Sequence, residues 1–181
     1  MTKEQIIATE KSILSGETIT DNTIITSDEL LQHWQGHRRL TRKLIEAFPA
    51  DKFETYSIGG MRSCSELALE LLDMAAPGVR GILTNEWKNF SETEHNLPGA
   101  AKHSKEEILR RWDKTTAEID TLWPQIPARR FRETTKVFNA YEGTVYAQLL
   151  YFIDNEIHHR GQIYVYLRSL GIEPPAFWDR A

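Results

Sequence analysis

The chain has 181 residues, of which 40% are hydrophobic and 27% charged, and its formal net charge is −4. This length and composition are typical of one globular domain with a sizeable core, so we treat residues 1–181 as a single domain. Phosphate backbones are bound by clustered basic surfaces, and the one dense basic run, at 129–132, is short. We therefore expect no nucleic-acid partner.

The cellular compartment is indicated by the cysteine count and by the absence of sorting signals. Cys64 is the only cysteine, which excludes an intrachain disulfide and suits a reducing compartment. The N-terminus has no cationic patch followed by an apolar core. No apolar run approaches the roughly 20 residues needed to span a bilayer. The sequence predicts a cytoplasmic protein with no membrane partner.

Residues 1–25 are predicted to be an N-terminal extension ahead of the first long helix. A short helix is expected over 3–14, and the β-branched segment over 18–26 favours an extended conformation. Two roles remain open for this extension: it crosses the body of the domain, or it contributes to a dimer contact.

Two long helices are marked by capping boxes, in which a hydroxyl and a carboxylate satisfy each other's backbone amides. The first starts after Thr26, has Glu29 at the third position, and ends before Pro49. The second begins at Ser63 with Glu66. Its continuation to residue 87 is predicted to be kinked or interrupted at 77–78, where Pro is followed by Gly.

Two further helices complete the pattern. The third opens at Ser104 with another capping box and ends at 123–124, and the fourth runs over 144–170 and ends at Gly171 in a left-handed cap. Residues 125–143 are predicted to be an irregular crossover, and the aromatic residues of the tail at 174–178 are expected to pack back on the helices. With no convincing strand pair, the fold class is all-α, an up-and-down four-helix bundle with a long crossover before the last helix.

The last helix carries a candidate site within its apolar stripe. His159 falls in that stripe, and Asn155 lies one turn earlier on nearly the same face. Glu70 flanks the inward face of the second helix. A histidine with oxygen donors from facing helices suits a divalent metal such as zinc, nickel or iron. From the residue pattern alone, however, a hydrogen-bonded core histidine is the favoured interpretation of His159.

Other residues with chemical potential are more easily explained without a site. His33 and His37 have the i, i+4 spacing of a metal chelate, but no third ligand is apparent and a pair of surface histidines is favoured. Cys64 lies in a first helical turn, where the helix dipole lowers a thiol pKa, although a small core side chain is the simpler interpretation. Arg160 and Gln162 are candidates to orient His159.

The run His-His-Arg-Gly-Gln at 158–162, with its continuation to 175, resembles the signature of the DinB superfamily of four-helix bundles, also called DinB/YfiT-like. The resemblance extends from about residue 27 onwards. It implies a divalent metal held by three histidines, one on the second helix and two at i and i+4 on the later helix. Only His159 matches those histidines, since Asn155 and Glu70 stand at the other two positions. Either the site is a Glu/Asn/His variant, which we favour, or the metal has been lost and a pocket kept.

The resemblance also implies a function. It suggests a metal-dependent hydrolase or a thiol S-transferase that acts on a small-molecule substrate, with a low-molecular-weight thiol as cosubstrate, in a homodimer. Glu70 has the alternative role of a general base. The competing hypothesis is a metal-free bundle that binds a small apolar ligand or serves as a dimerisation module, with Glu70, Asn155 and His159 forming one hydrogen-bonded network.

Overall fold

The computed structural model describes residues 24–181, so the helix expected over 3–14 and most of the segment over 18–26 lie outside the described residues. In the described part the chain is mostly helical, as predicted. The elements in chain order are α1 (Ser27–Ala47), α2 (Cys64–Met74), α3 (Ala76–Thr84), α4 (Lys105–Leu122), β1 (Thr134–Val137), β2 (Tyr141–Thr144) and α5 (Val145–Ser169). Helix α1 packs against α4 and α5, and α2 packs against the same two helices. None of the helices over residues 24–181 combines the length and the apolar composition of a membrane-spanning segment.

The helix starts are set by local capping. Thr26 and Ser63 each form the full capping box predicted for them, with Glu29 and Glu66 respectively. At α4 the box is only half formed. The hydroxyl of Ser104 accepts from the amide of Glu107 at 3.2 Å, but the Glu107 carboxylate binds Arg110 rather than returning to the cap.

The predicted interruption between the second helix and its continuation lies two residues earlier than expected. The break is at Ala75, which leaves Pro77 in the first turn of α3, where its missing amide hydrogen costs no helical bond. The continuation ends at Thr84 because Asn85 adopts a left-handed conformation with φ of 62°. Helix α3 approaches α5 closely: a Cβ atom on Gly78 would lie 2.5 Å from the Phe152 ring, so only glycine fits there.

A β-hairpin replaces part of the predicted irregular crossover, so the expectation of no strand pair is wrong. Strands β1 and β2 are antiparallel, with Val137 opposite Tyr141. The connection contains Phe138 and Asn139, both with positive φ. Each strand has four residues, and only Thr135 and Val137 of β1 are buried. An alternation this short gives almost no signal in a sequence.

The interior has two apolar clusters that follow one another along α1 and α5. One surrounds Trp34 and Phe152, and the other surrounds Leu44 and Tyr166. The stretches of α1 and α5 that connect the two clusters carry buried polar side chains, including His159. The candidate site therefore lies in a polar layer between two apolar ones.

The end of the chain differs from its prediction in one detail. Gly171 has the left-handed conformation expected after α5, with φ of 74°. The tail aromatics, in contrast, do not pack back: Phe177 is 63% exposed and Trp178 is 73% exposed. Pro174 at the start of the tail is buried, and near the end of the chain Asp179 accepts from the Lys43 ammonium at 2.9 Å.

Candidate functional site

The structure brings together two of the three predicted site residues. Glu70 extends from α2 and His159 from α5, and Nε2 of His159 lies 3.1 Å from Oε1 of Glu70. Their side chains are only 15% and 7% exposed. The helical stripe that predicted an inward His159 is therefore confirmed, and so is the inward inclination of Glu70.

Asn155, the third predicted residue, lies one turn before His159 on the same helix. It is 9% exposed, and its Nδ2 atom has no hydrogen-bond partner among the residues the structure describes. A buried amide group without a partner is costly, typically about 1–3 kcal/mol. Asn155 is thus the one member of the predicted set with unused hydrogen-bonding capacity inside the protein.

Both ring nitrogens of His159 face hydrogen-bonding groups. Nδ1 lies 3.1 Å from Oε1 of Gln162, and Nε2 faces the Glu70 carboxylate. A neutral imidazole carries one N–H, and the Gln162 amide can present either its oxygen or its NH₂ group to Nδ1. The contact between Nε2 and the carboxylate is therefore made either by an N–H or by a metal ion between the two atoms. The predicted orienting role of Gln162 agrees with this contact.

Glu70 has a second neighbour, a cationic one, that the sequence did not reveal. The Nη2 atom of Arg62, in the loop before α2, donates to Oε2 of Glu70. Burial raises the pKa of Glu70, but the hydrogen bonds and charges of His159 and Arg62 outweigh it and lower the pKa to about 2. The carboxylate is therefore ionised across the physiological pH range.

Replacing Glu70 with glutamine should remove part of the acid sensitivity of the fold. The pKa of Glu70 is about 2 in the folded protein and 4.5 in the reference state. The ionised carboxylate therefore stabilises the fold fully above about pH 4.5, and this stabilisation is lost as the pH falls from 4.5 towards 2. We expect wild type to exceed Glu70→Gln in free energy of unfolding at about pH 6, and the gap to narrow at about pH 3. Urea denaturation at the two pH values measures the free energy of unfolding of each protein. Glu173→Gln, at an exposed carboxylate, is the control. A gap that is the same at both pH values would contradict this assignment.

A second buried polar cluster joins α5 to α1 and was not predicted. Glu156 is 2% exposed and accepts from Nε1 of Trp34 at 3.1 Å and from the hydroxyl of Thr41 at 2.6 Å. Arg38 is fully buried, with Nη1 3.8 Å from the same carboxylate. Burial lowers the pKa of Arg38 to about 10, which leaves it charged at neutral pH. Glu156 follows Asn155 directly, so this cluster fixes α5 beside the candidate site.

Arg160 belongs to this cluster, so its predicted role in orienting His159 is wrong. Its guanidinium reaches α1, where Nη2 donates to Nδ1 of His37 at 2.8 Å. Arginine has no acceptor atom, so Nδ1 of His37 carries the lone pair and Nε2 carries the proton. That proton points at Nε2 of His33, 3.2 Å away.

The tautomer of His37 argues against a metal chelate with His33. Burial lowers the pKa of His37 to about 3, and the positive charge of Arg160 adds to this effect. The ring is therefore neutral near neutral pH, with its Nε2 proton in the place where a metal would bind. The pair is better described as a hydrogen-bonded contact at the edge of the buried cluster.

Cys64 is a core side chain. It is fully buried, and burial raises the pKa of its thiol, which is the opposite of activation at a helix start. Within residues 24–181, no group of three or more His, Cys, Asp or Glu side chains is placed to hold a metal ion. A three-residue site therefore depends on the amide of Asn155.

Comparison with known proteins gives consistent results. The model of the DinB family matches residues 19–180. YjoA, an uncharacterized protein of Bacillus subtilis (strain 168), is 26% identical over 158 residues, which cover 85% of this chain and 97% of that protein. The crystal structure of YjoA, a DinB-like protein, superposes with a TM-score of 0.64 at 22% identity and covers 84% of this chain and 99% of YjoA. A DinB-like protein from Bacillus cereus ATCC 10987 gives 0.62 at 18% identity, with coverage of 83% and 97%.

Proposed function

Because this chain belongs to the DinB family, we propose that it binds a divalent metal in the core of a four-helix bundle, through Glu70, Asn155 and His159. Zinc, nickel and iron are the metals that suit this donor set. The observation that carries the proposal is the buried contact between facing helices, in which Nε2 of His159 lies 3.1 Å from Oε1 of Glu70. The proposed activity is that of a metal-dependent hydrolase or a thiol S-transferase.

Two of the three donor atoms, on His159 and Glu70, have a spacing that supports a metal. Neighbouring ligands of a tetrahedral ion with bonds of about 2.1 Å lie about 3.4 Å apart. Nε2 of His159 and Oε1 of Glu70 are 3.1 Å apart, so a small outward movement would admit an ion. Turning over the Asn155 amide would present its oxygen where Nδ2 now lacks a partner, since the two amide atoms are exchangeable in position.

The protein's own residues define how such a site would work. A bound metal would lower the pKa of a coordinated water or thiol. Gln162 holds the His159 ring in orientation. Glu70 has a pKa of about 2, which suits binding a cation and makes it a poor general base near neutral pH. Cys64 is buried, so the nucleophile would come from a small molecule, such as water or a low-molecular-weight thiol cosubstrate.

Replacing His159 with alanine should abolish metal binding while leaving the helical fold intact, because the side chain supplies a metal ligand. The measurement is elemental analysis of tag-free protein, purified without added metal and then incubated with zinc or nickel. Wild type should retain about one ion per chain, and His159→Ala almost none. The neighbouring exposed residue gives a matched control, His158→Ala, which should retain the ion. A wild-type protein without metal, or a His159→Ala variant with the same metal content as wild type, would contradict the proposal.

A metal-free bundle is the second candidate, and Arg62 is the observation in its favour. With the Arg62 guanidinium on one oxygen of Glu70 and the Nε2–H group of His159 on the other, both carboxylate oxygens have donors without a metal. The protein would then bind a small ligand or serve as a dimerisation module. The variant Asn155→His discriminates between the two candidates: it should raise metal affinity if a metal site exists, and alter only stability if the residues form a hydrogen-bonded network.

We also propose that the protein is a homodimer. The exposed aromatic residues of α5, Tyr146 and Tyr151, offer apolar surface for such a contact.

A further inference from the structure

The backbone of Arg62 is held in place, whereas its side chain is partly exposed. It directly precedes Ser63, the N-cap of α2, and its carbonyl accepts from the hydroxyl of Tyr166 at 2.7 Å. Tyr166 is fully buried in the apolar cluster around Leu44, so the start of this side chain is fixed. The side chain itself is 41% exposed and reaches over the edge of the site.

The guanidinium of Arg62 occupies the one carboxylate oxygen of Glu70 that does not face His159. One carboxylate oxygen accepts from Nη2 of Arg62 and the other faces Nε2 of His159, so both oxygens are already opposite positive or donating groups. Among residues 24–181, this is the only side-chain hydrogen bond of the Arg62 guanidinium. A divalent cation at the same carboxylate would be repelled by the guanidinium at close range.

We propose that Arg62 is a built-in competitor of the metal, and that a divalent cation binds Glu70 only when the Arg62 side chain swings out to solvent. Among these three residues only Arg62 can make such a movement, because the side chains of Glu70 and His159 are buried. The arginine side chain is long and partly exposed, so its charge would be hydrated outside the site. The inference rests on the metal site proposed above and deepens it, since it gives that site a gate made from the protein's own chain.

The experiment compares zinc affinities of the metal-free protein, measured by competition with a chromophoric chelator. Arg62→Gln should bind zinc at least about tenfold more tightly than wild type, because the competing charge is removed. Arg62→Lys keeps a positive charge and should remain within a few-fold of wild type. Arg168→Gln, at an exposed ion pair with Glu173, is the control, and its zinc affinity should be unchanged. Circular dichroism establishes that each variant is folded.

The outcomes separate this inference from the proposed function. If wild type binds zinc and Arg62→Gln binds it no more tightly, competition by Arg62 is contradicted and the proposed metal site is supported. If wild type binds no zinc but Arg62→Gln does, and adding His159→Ala abolishes that binding, the gate is supported and the proposed metal function of wild type fails. If neither protein binds zinc, both are overturned.

Discussion

Replacing Glu156 with alanine should lower the free energy of unfolding by about 3–5 kcal/mol, because it removes one partner of a buried charge cluster. The substitution would leave Arg38, which is fully buried, without its ion-pair partner, and it would remove a nearby negative charge that favours the charged form of Arg160. It also leaves the Trp34 indole N–H and the Thr41 hydroxyl without an acceptor. Urea denaturation followed by circular dichroism at neutral pH measures the loss. A decrease below about 1 kcal/mol would show that the cluster does not hold α1 to α5.

Two controls make the interpretation specific. Glu173→Ala removes an exposed carboxylate that pairs with Arg168, and should cost at most about 1 kcal/mol. Arg38→Met should lower the free energy of unfolding less in the Glu156→Ala variant than in wild type. In that variant it removes a charge that has already lost its partner. Equal costs in the two backgrounds would mean that Arg38 and Glu156 are not energetically coupled.

Replacing Trp112 with alanine should also destabilise the protein by about 3–5 kcal/mol, as expected for removing a large buried aromatic side chain. Trp112 is 1% exposed, and the guanidinium carbon of Arg38 lies 4.1 Å from its ring centroid. Its indole N–H donates to the Arg38 carbonyl at 3.2 Å. The alanine variant therefore opens a cavity and removes the cation–π contact of a buried charge. Thermal unfolding and urea denaturation both report the effect.

Trp178→Ala is the matched control for this substitution. The Trp178 side chain is 73% exposed, so its removal should change the free energy of unfolding by no more than about 0.5 kcal/mol. Similar losses for the two tryptophans would contradict the structural difference between them.

The parts of the fold that could be predicted are those governed by local chemistry. The first turns at Thr26 and Ser63 depend on residues three positions apart, so their capping boxes are visible in the sequence. The left-handed Gly171 is equally local. The hairpin over 134–144 was missed because its strands are short and its positive-φ residues include Phe138, a type that rarely marks a turn. The exposure of Trp178 depends on packing between distant segments.

The candidate site shows the same division. His159 and Glu70 could be placed from helical periodicity and from the resemblance, because both lie at the inner faces of helices. Arg62 lies in a loop, where no periodicity predicts which way a side chain extends. The spacing of Trp34, Arg38 and Thr41 along α1 does place Arg38 on the buried face, but a hydrophobic stripe gives no reason to put a charge there. Its partner Glu156 lies across the bundle, and the contact of that carboxylate with Trp34 spans 122 positions of sequence.

The buried pair of Arg38 and Glu156 also restricts how this protein can change over evolutionary time. Losing either residue alone leaves the other charge stranded in the interior, and the expected cost is a large share of the roughly 5–15 kcal/mol that keeps a domain folded. Losing both, with apolar replacements of similar volume, costs far less. Lineages should therefore keep the two residues together or replace them together, and descendants with only one of them should be rare.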